Sequence, residues 1–256
     1  LLDRPEILQS AFYPRREVQA GPPNSSDHFV PVENGVSIGC RFYVHSRTSP
    51  SILFFHGNGE IVSDYNIIAP FYNQRGINLF VADYRGYGAS GGTPTFTNMV
   101  HDAHRIFEAL MDILHSNNHT GNVFVMGRSL GSLSAIELAY SYQEQLKGLI
   151  IESGYASSLR LLRYLGFPTE VLGIKDPDFP NAAKMRSITI PTLILHGERD
   201  SLIPVTEAQD LFEKSAAEIK RLVIIHEADH NDIMLVGMER YFAEITRLVS
   251  PEAEGQ

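Results

Sequence analysis

Short apolar segments alternate with longer amphipathic segments along most of the chain. The apolar segments are rich in Val, Ile and Phe, and they lie at 51–55, 77–82, 122–126, 146–151, 191–195 and 221–225. Because they are apolar at nearly every position, they are typical of parallel strands buried on both faces. The segments between them have helical spacing, near 61–75, 97–115, 130–143, 206–217 and 232–248. This alternation predicts an α/β fold with a mostly parallel central sheet and helices on both of its faces.

The two ends of the chain differ from this pattern. Residues 1–28 are polar and interrupted by prolines, and we expect them to form an N-terminal arm that lies on the domain. Residues 29–46 alternate in two runs that break at Asn34-Gly35, which predicts a β-hairpin. Residues 251–256 are expected to form a tail.

One internal segment, 153–187, is longer than a plain crossover between two strands. We expect residues 29–250 to form a single domain in which this segment is a short lid. Its apolar residues are Leu159, Leu161, Leu162, Tyr164, Leu165, Phe167, Val171 and Leu172. They fit two interpretations equally: a hydrophobic entrance for an acyl or aryl group, or a cover for the helix layer.

Composition narrows the possible partners. The 256 residues carry 21 Lys and Arg against 30 Asp and Glu, a formal net charge of -9. This balance argues against nucleic acid or an anionic membrane surface as the main partner. No apolar run approaches the roughly 20 residues of a membrane span. We expect a cytoplasmic protein that acts on a small molecule. The chain opens on Leu1 rather than Met, so the sequence does not report on any upstream segment, and it makes no prediction of oligomeric state.

A G-x-S-x-G motif occurs twice, at 127–131 and at 88–92. A nucleophile turn of this type needs a strand that ends at the first glycine and a helix that begins just after the serine. The first motif follows the apolar segment 122–126 and opens a helical stretch, which predicts Ser129 as a nucleophile. At Ser90 a threonine-proline pair follows in place of a helix. The alternative for the first motif is a glycine-rich strand–helix connection with no chemistry.

A serine hydroxyl is a weak nucleophile that needs a base, and the base needs an orienting acid. Asp200 and His230 each follow a predicted strand, and the order Ser129, Asp200, His230 is that of α/β hydrolases. Ligands bind outside the carboxyl ends of strands in open α/β sheets, so these residues are expected to converge there. Glu152 is an alternative acid and His226 an alternative base.

The same edge of the sheet can supply an oxyanion hole. The backbone N–H of Leu130 lies at the start of a helix, where partial positive charge favours an oxyanion. The second donor is expected from the loop His56-Gly57-Asn58-Gly59 after the first core strand, with the Asn58 N–H as the predicted group. The alternative for this loop is a tight glycine turn.

Four further residues lie beside these groups or in the lid, and we expect them to contact substrate. They are Gly57, Arg128, Tyr155 and Leu162.

No metal or cofactor is expected. His101 and His104 share a helix face, but neither they nor the nearby His115 and His119 form a known ligand spacing. The stretch 86–91 matches G-x-G-x-x-G, yet it does not open a first βαβ unit. The single cysteine, Cys40, lies in a predicted strand without a paired base and is expected to pack in the core; one cysteine also excludes an intramolecular disulfide.

These motifs together resemble one family. The segments HGNGE, DYRGYGASGG, GRSLGS, IPTLILHGERDSLIPV and ADH span most of residues 51–248. In them the chain resembles α/β-hydrolase-fold serine hydrolases, in the branch of lysophospholipase-like, acyl-thioesterase-like and serine-aminopeptidase-like proteins. The resemblance implies a covalent acyl-enzyme mechanism without metal or organic cofactor.

The expected function is an esterase or thioesterase acting on small or medium acyl groups. One alternative is a serine peptidase of the aminopeptidase type, in which lid acids such as Glu170, Asp176 or Asp178 would hold a free α-amine. The other is a non-catalytic binding protein on the same fold, although no member of the predicted triad is missing.

Overall fold

In the computed structural model, which describes residues 2–171, 173 and 180–250, eight strands form one sheet. The strands are β1 (Ser25–Glu33), β2 (Val36–Tyr43), β3 (Ser51–Phe55), β4 (Asn78–Ala82), β5 (Val123–Arg128), β6 (Leu149–Glu152), β7 (Thr192–Gly197) and β8 (Lys220–Ile225). Their order is β1-β2-β4-β3-β5-β6-β7-β8. β2 pairs antiparallel with both of its neighbours, and the pairs from β4 to β8 are parallel. The predicted mostly parallel α/β sheet is confirmed.

The helices of the described residues alternate with these strands. They are α1 (Pro5–Ala11), α2 (Ala69–Asn73), α3 (Phe96–Ser116), α4 (Ser132–Ser141), α5 (Ser158–Tyr164), α6 (Asn181–Met185), α7 (Val205–Lys214), α8 (Ile233–Val236) and α9 (Met238–Val249). Short 3₁₀ helices occupy Val62–Asn66 and Ser129–Gly131. None of the described helices is both long and apolar enough to cross a bilayer.

Two of the predicted helices are divided. The stretch 61–75 forms a 3₁₀ helix and then α2, where Pro70 stands in the first turn, a position that needs no N–H donor. The stretch 232–248 divides at Gly237 into α8 and α9. A Cβ on Gly237 would lie 2.5 Å from the Ile225 side chain, so close packing against β8 requires glycine there.

The sheet has a separate apolar core on each face. Leu53 and Phe55 of β3 belong to the core that includes α3 and α4, whereas Ile52 and Phe54 belong to the core under α2 and α9. All four side chains are essentially inaccessible. This alternation along a continuously apolar strand is what burial on both faces requires, and it leaves the carboxyl ends of the strands free to carry the site.

The N-terminal arm differs from the expectation. It contains α1, whose Ile7 and Ala11 are buried in the core, and Phe12 packs against Phe96 with ring centroids 5.0 Å apart. The hairpin begins at Ser25 rather than at residue 29, so the last residues assigned to the arm are strand. The helix is only seven residues long, too short for periodicity to distinguish it from a polar arm.

The segment 153–187, which the sequence predicts as a lid, contains α5 and α6. Its anchor is the buried Glu207 of α7, which accepts the Ala156 N–H at 2.8 Å and the Tyr164 hydroxyl at 2.9 Å and pairs with Arg160. The predicted lid residues Leu172, Asp176 and Asp178, and the tail 251–256, lie outside the described residues.

Candidate active site

A strained turn directly after β5 places Ser129 at the carboxyl ends of the parallel strands. Its φ is +52°, in the left-handed region that costs a non-glycine residue free energy. A Cβ on Gly127 would lie 2.4 Å from the Gly131 carbonyl oxygen, and one on Gly131 would lie 2.2 Å from the Phe55 carbonyl oxygen. Glycine is therefore required on both sides of the serine, because the turn closes tightly against β3 and the following helix.

Three side chains from separate loops form one hydrogen-bonded chain at this edge. The Ser129 hydroxyl lies 2.9 Å from His230 Nε2, and His230 Nδ1 lies 2.8 Å from Asp200 Oδ2. Each residue is less than 10% exposed. The structure thus brings together the three residues that the sequence nominates as nucleophile, base and acid.

The environment of Asp200 favours its charged form. Oδ1 accepts the backbone N–H groups of Leu202 at 3.0 Å and Ile203 at 2.7 Å, and His196 lies 3.3 Å from Oδ2. Burial alone would raise the pKa of Asp200. The hydrogen bonds from His196, His230 and Ile203 outweigh that effect and hold the pKa well below its ordinary value.

The loop that carries His230 is fastened to the loop that carries Asp200. The Asp229 carboxylate accepts the Ser201 hydroxyl at 2.9 Å, the Ser201 N–H at 2.8 Å and the His230 N–H at 2.7 Å. The alternative base, His226, has a side chain 77% exposed and pairs with Glu198. The His226 side chain therefore points to solvent. Its position at the end of an apolar run had indicated that it packs against the end of the strand.

The predicted oxyanion donors lie on two segments that contact each other. The contact of Gly131 with the carbonyl groups of Phe55 and His56 places the nucleophile turn directly against the loop that carries Asn58. Leu130 stands in the first turn of a helix, where backbone N–H groups lack intrahelical acceptors. His56 is fully buried and bonds to Asp83 at 3.1 Å, which fixes the start of the loop.

Arg128, predicted to contact substrate, joins several parts of the protein. Its guanidinium pairs with Glu60 and Glu152 and donates to the His230 carbonyl oxygen at 3.0 Å and to Asn231 Oδ1 at 3.1 Å. All of its nitrogens therefore have protein acceptors.

The pKa values of the two acids paired with Arg128 are shifted in opposite directions. Burial raises the pKa of each, but at Glu60 the charge of Arg128 and further donors prevail and the pKa is lowered. At Glu152 burial prevails and the pKa is raised. Glu152 also accepts the Tyr241 hydroxyl at 2.7 Å, so this alternative acid is committed to the Arg128 network.

The other predicted substrate contacts are structural in this conformation. Gly57 donates its N–H to Glu60 at 2.9 Å, and a Cβ there would lie 2.3 Å from the Arg128 guanidinium. Tyr155 and Leu162 are 0% and 1% exposed within the core, and their apolar character is explained by packing.

A cavity of about 310 Å³ lies on the α2 and α9 face, and its lining includes none of the described residues Ser129, Asp200 and His230. Arg128 and Asn231, the sequence neighbours of Ser129 and His230, form part of its wall. Ile67 and Leu235 line it as well and are 78% and 68% exposed. Its volume is at the lower end of the range for small-molecule pockets, roughly 300 to 1,000 Å³.

The rejected motifs have structural roles. The buried Ser90 hydroxyl accepts the Gly39 N–H at 2.9 Å, and Cys40 is buried within β2. His104 bonds to the Tyr142 hydroxyl at 3.0 Å. Within the part of the chain that the structure describes, no group of three or more histidine, cysteine or acidic side chains could hold a metal ion.

Comparison with known proteins agrees with this fold. The profile of the serine aminopeptidase S33 family of hydrolases matches residues 46–163 and 181–234, more than half of the chain. The chain belongs to this family. The human and Xenopus tropicalis forms of alpha/beta hydrolase domain-containing protein 17B are 32% and 30% identical to it over 226 residues. Each alignment covers 85% of this chain and 73% of the relative. It is thus a hydrolase with the α/β-hydrolase fold.

Solved structures agree on the fold. The esterase Pf2001 of Pyrococcus furiosus superimposes with a TM-score of 0.76 at 20% identity, covering 93% of this chain and 98% of that one. Est1E of Butyrivibrio proteoclasticus, with bound ferulic acid, gives a TM-score of 0.69 at 17% identity, covering 85% and 98%. A monoacylglycerol lipase of Paleococcus ferrophilus gives 0.62 at 20% identity, covering 79% and 96%.

Several residues that support the site escape sequence reasoning. Glu60 and Asp229 stand inside the HGNGE and ADH segments, but their sequence does not reveal that they hold Arg128 and Ser201. Glu207 reads as an ordinary helix acid, although it is 1% exposed. Only the tertiary structure brings their partners within reach.

Proposed function

We propose that this chain is a serine hydrolase of the esterase or thioesterase type, acting on small or medium acyl groups. His230 Nε2 removes the proton of Ser129 as the hydroxyl oxygen attacks the acyl carbonyl carbon. Asp200 holds the imidazole with Nδ1–H toward its carboxylate and stabilises the imidazolium that forms. The alcohol or thiol leaves with the proton from His230, and water then attacks the acyl-enzyme with the same base.

The N–H groups of Asn58 and Leu130 take the negative oxygen of the tetrahedral intermediate. Each such donor is worth roughly 2.7–4 kcal/mol of barrier lowering. The single observation that carries the proposal is the unbroken hydrogen-bonded chain from Asp200 through His230 to Ser129.

A second candidate is a serine peptidase, favoured by the family that the chain belongs to. Such an enzyme needs an acid to hold a free α-amine. Glu170, one of three acids considered for that role, has a side chain 74% exposed and pairs with Arg163, which gives this candidate less support. Asp176 and Asp178 lie outside the described residues.

The test is a panel of acyl esters, acyl thioesters and aminoacyl amides of increasing chain length, measured with wild type and Ser129→Ala. The proposal predicts turnover of the esters or thioesters in preference to the amides. It also predicts that Ser129→Ala lowers kcat by up to about 10⁶. Preferred cleavage of aminoacyl amides would select the peptidase, and equal turnover by the variant would contradict both candidates.

A further inference from the structure

The segment 11–20, called here the N-terminal strap, runs over the loop 57–60. Arg15 donates to the Gly59 carbonyl oxygen at 3.2 Å, and its own carbonyl accepts the Gly88 N–H at 2.7 Å. The strap is thus bound both to the loop after β3 and to the loop after β4. The part of the chain that matches the family profile begins only at residue 46, so the strap is not part of that match.

The strap holds the side chain of Asn58 from two sides. The Asn58 amide nitrogen donates to the Ala11 carbonyl oxygen at 2.7 Å, and its amide oxygen accepts the Tyr13 N–H at 3.0 Å. The buried Tyr87 hydroxyl completes the cluster: it donates to the same amide oxygen at 2.6 Å and accepts the Tyr13 N–H at 3.0 Å.

The loop's own bonds hold the peptide before Asn58 but not the Asn58 side chain. The Gly57 carbonyl oxygen lies 2.8 Å from His56 Nδ1, and the Gly57 N–H donates to Glu60 at 2.9 Å. Within 57–60 the backbone makes one turn bond, from the Glu60 N–H to the Gly57 carbonyl at 3.3 Å, and glycines flank Asn58 on both sides. Glycines leave the backbone free to rotate. The contacts of the Asn58 side chain therefore add to the bonds of the Gly57 carbonyl in setting the direction of the Asn58 N–H.

We propose that the N-terminal strap is a positioning element for the oxyanion hole, which orients the backbone N–H of Asn58 through the Ala11, Tyr13 and Tyr87 contacts. The inference rests on the proposed function, because an oxyanion forms only if Ser129 attacks an acyl group. A misplaced donor weakens binding of the transition state far more than binding of the substrate. Loosening the strap should therefore lower kcat and leave KM nearly unchanged.

The test is a matched pair of substitutions at Tyr13, whose side chain is 60% exposed. Tyr13→Pro removes the N–H that bonds to Asn58 and Tyr87, whereas Tyr13→Ala keeps that N–H and removes only the ring. The residue before this position is compatible with a proline, because Phe12 already has the extended backbone, φ −117° and ψ 137°, that a following proline requires.

A second pair keeps the proposal testable if Tyr13→Pro fails to fold. Tyr87→Phe removes one buried hydroxyl from the cluster, and Tyr142→Phe removes a hydroxyl that bonds to His104 elsewhere in the molecule. For each variant we would measure kcat, KM, the pH profile and the affinity for an alkylboronic acid, which forms a tetrahedral adduct with a serine.

We expect Tyr13→Pro and Tyr87→Phe to lower kcat by about 10- to 100-fold and to weaken the boronic acid in parallel. Their KM, thermal midpoint and pH profile should stay near those of Tyr13→Ala and Tyr142→Phe. Equal kcat within each pair, or a change in KM alone, would overturn the strap proposal.

If wild type itself turns over no ester, the proposed function fails separately. Amide hydrogen exchange of residues 56–61 then tests the strap proposal. The proposal predicts faster exchange in Tyr13→Pro than in Tyr13→Ala.

Discussion

The two halves of the site are built in different ways. The relay half, with Asp200 and His230, lies on neighbouring loops after β7 and β8 that fasten each other through Asp229 and Ser201. The oxyanion half, the loop around Asn58, depends on partners that are distant in sequence, from the N-terminal strap and from the loop after β4. In the proposed mechanism, the groups that transfer the proton are thus held by two loops that bond to each other, whereas the loop of the predicted oxyanion donor is also held by segments distant in sequence.

Arg128 is the link between the halves. It pairs with Glu60, which holds the oxyanion loop through the Gly57 N–H, and it donates to the carbonyl oxygen of His230. Because it directly precedes Ser129, it fixes both halves relative to the nucleophile. The comparison therefore separates three kinds of variant: those of the relay, of the link and of the oxyanion loop.

The largest effect is expected in the relay. Asp200→Asn keeps the size of the side chain but no longer holds the reactive tautomer of His230, and we expect kcat to fall by about 10⁴ with the fold intact. Kinetics on a p-nitrophenyl ester measures this, with circular dichroism as the fold control. A decrease in kcat of less than tenfold would contradict the role of Asp200 in orienting His230.

The link should matter most for stability. Arg128→Met leaves the acids Glu60 and Glu152 in a buried site without their partner, and we expect the free energy of unfolding to fall by about 3–5 kcal/mol. Urea denaturation measures it. The double variant Arg128→Met with Glu152→Gln should recover part of the loss, because it removes one uncompensated charge. A single variant as stable as wild type would contradict the role of Arg128 as a link.

The pH dependence of stability distinguishes the relay from a general charge effect. The folded pKa of Asp200 lies below its unfolded value of about 3.9. Its contribution to stability is therefore present above that pH and is lost as pH falls through the folded pKa. The stability difference between wild type and Asp200→Asn should be largest at neutral pH and shrink below about pH 4.

Urea denaturation across this range measures the difference, and Asp112→Asn, at an exposed position of α3, is the charge control. A gap between wild type and Asp200→Asn that widens on acidification would contradict the assignment.

The smallest effect is expected at the fastening between the relay loops. Ser201→Ala removes one hydroxyl donor to Asp229 but leaves the two backbone donors. We expect a small loss in the free energy of unfolding, because this hydrogen bond is exposed to solvent, and a small decrease in kcat. Thermal unfolding and steady-state kinetics check this. A decrease in kcat as large as that of Asp200→Asn would mean that the loop is not locally secured.

Sequence reasoning predicts the residues of the relay better than the contacts that hold the oxyanion loop. Strand ends, the two glycines around Ser129 and the order of Asp200 and His230 have local signatures, so the sheet and the residues of the relay could be predicted. The role of Arg128 could not, because its acceptors lie up to about a hundred positions away in the chain. Tyr155 and Leu162 show the converse error, since an apolar side chain reads alike at a substrate wall and in a core.

The proposed mechanism requires that Ser129 is the reactive nucleophile. Its most direct test is labelling of the whole protein with a fluorophosphonate, followed by peptide mapping, in wild type and Ser129→Ala. We expect a single modified residue, Ser129, in wild type and no label in the variant. Label on Ser90, or labelling that persists in Ser129→Ala, would contradict it.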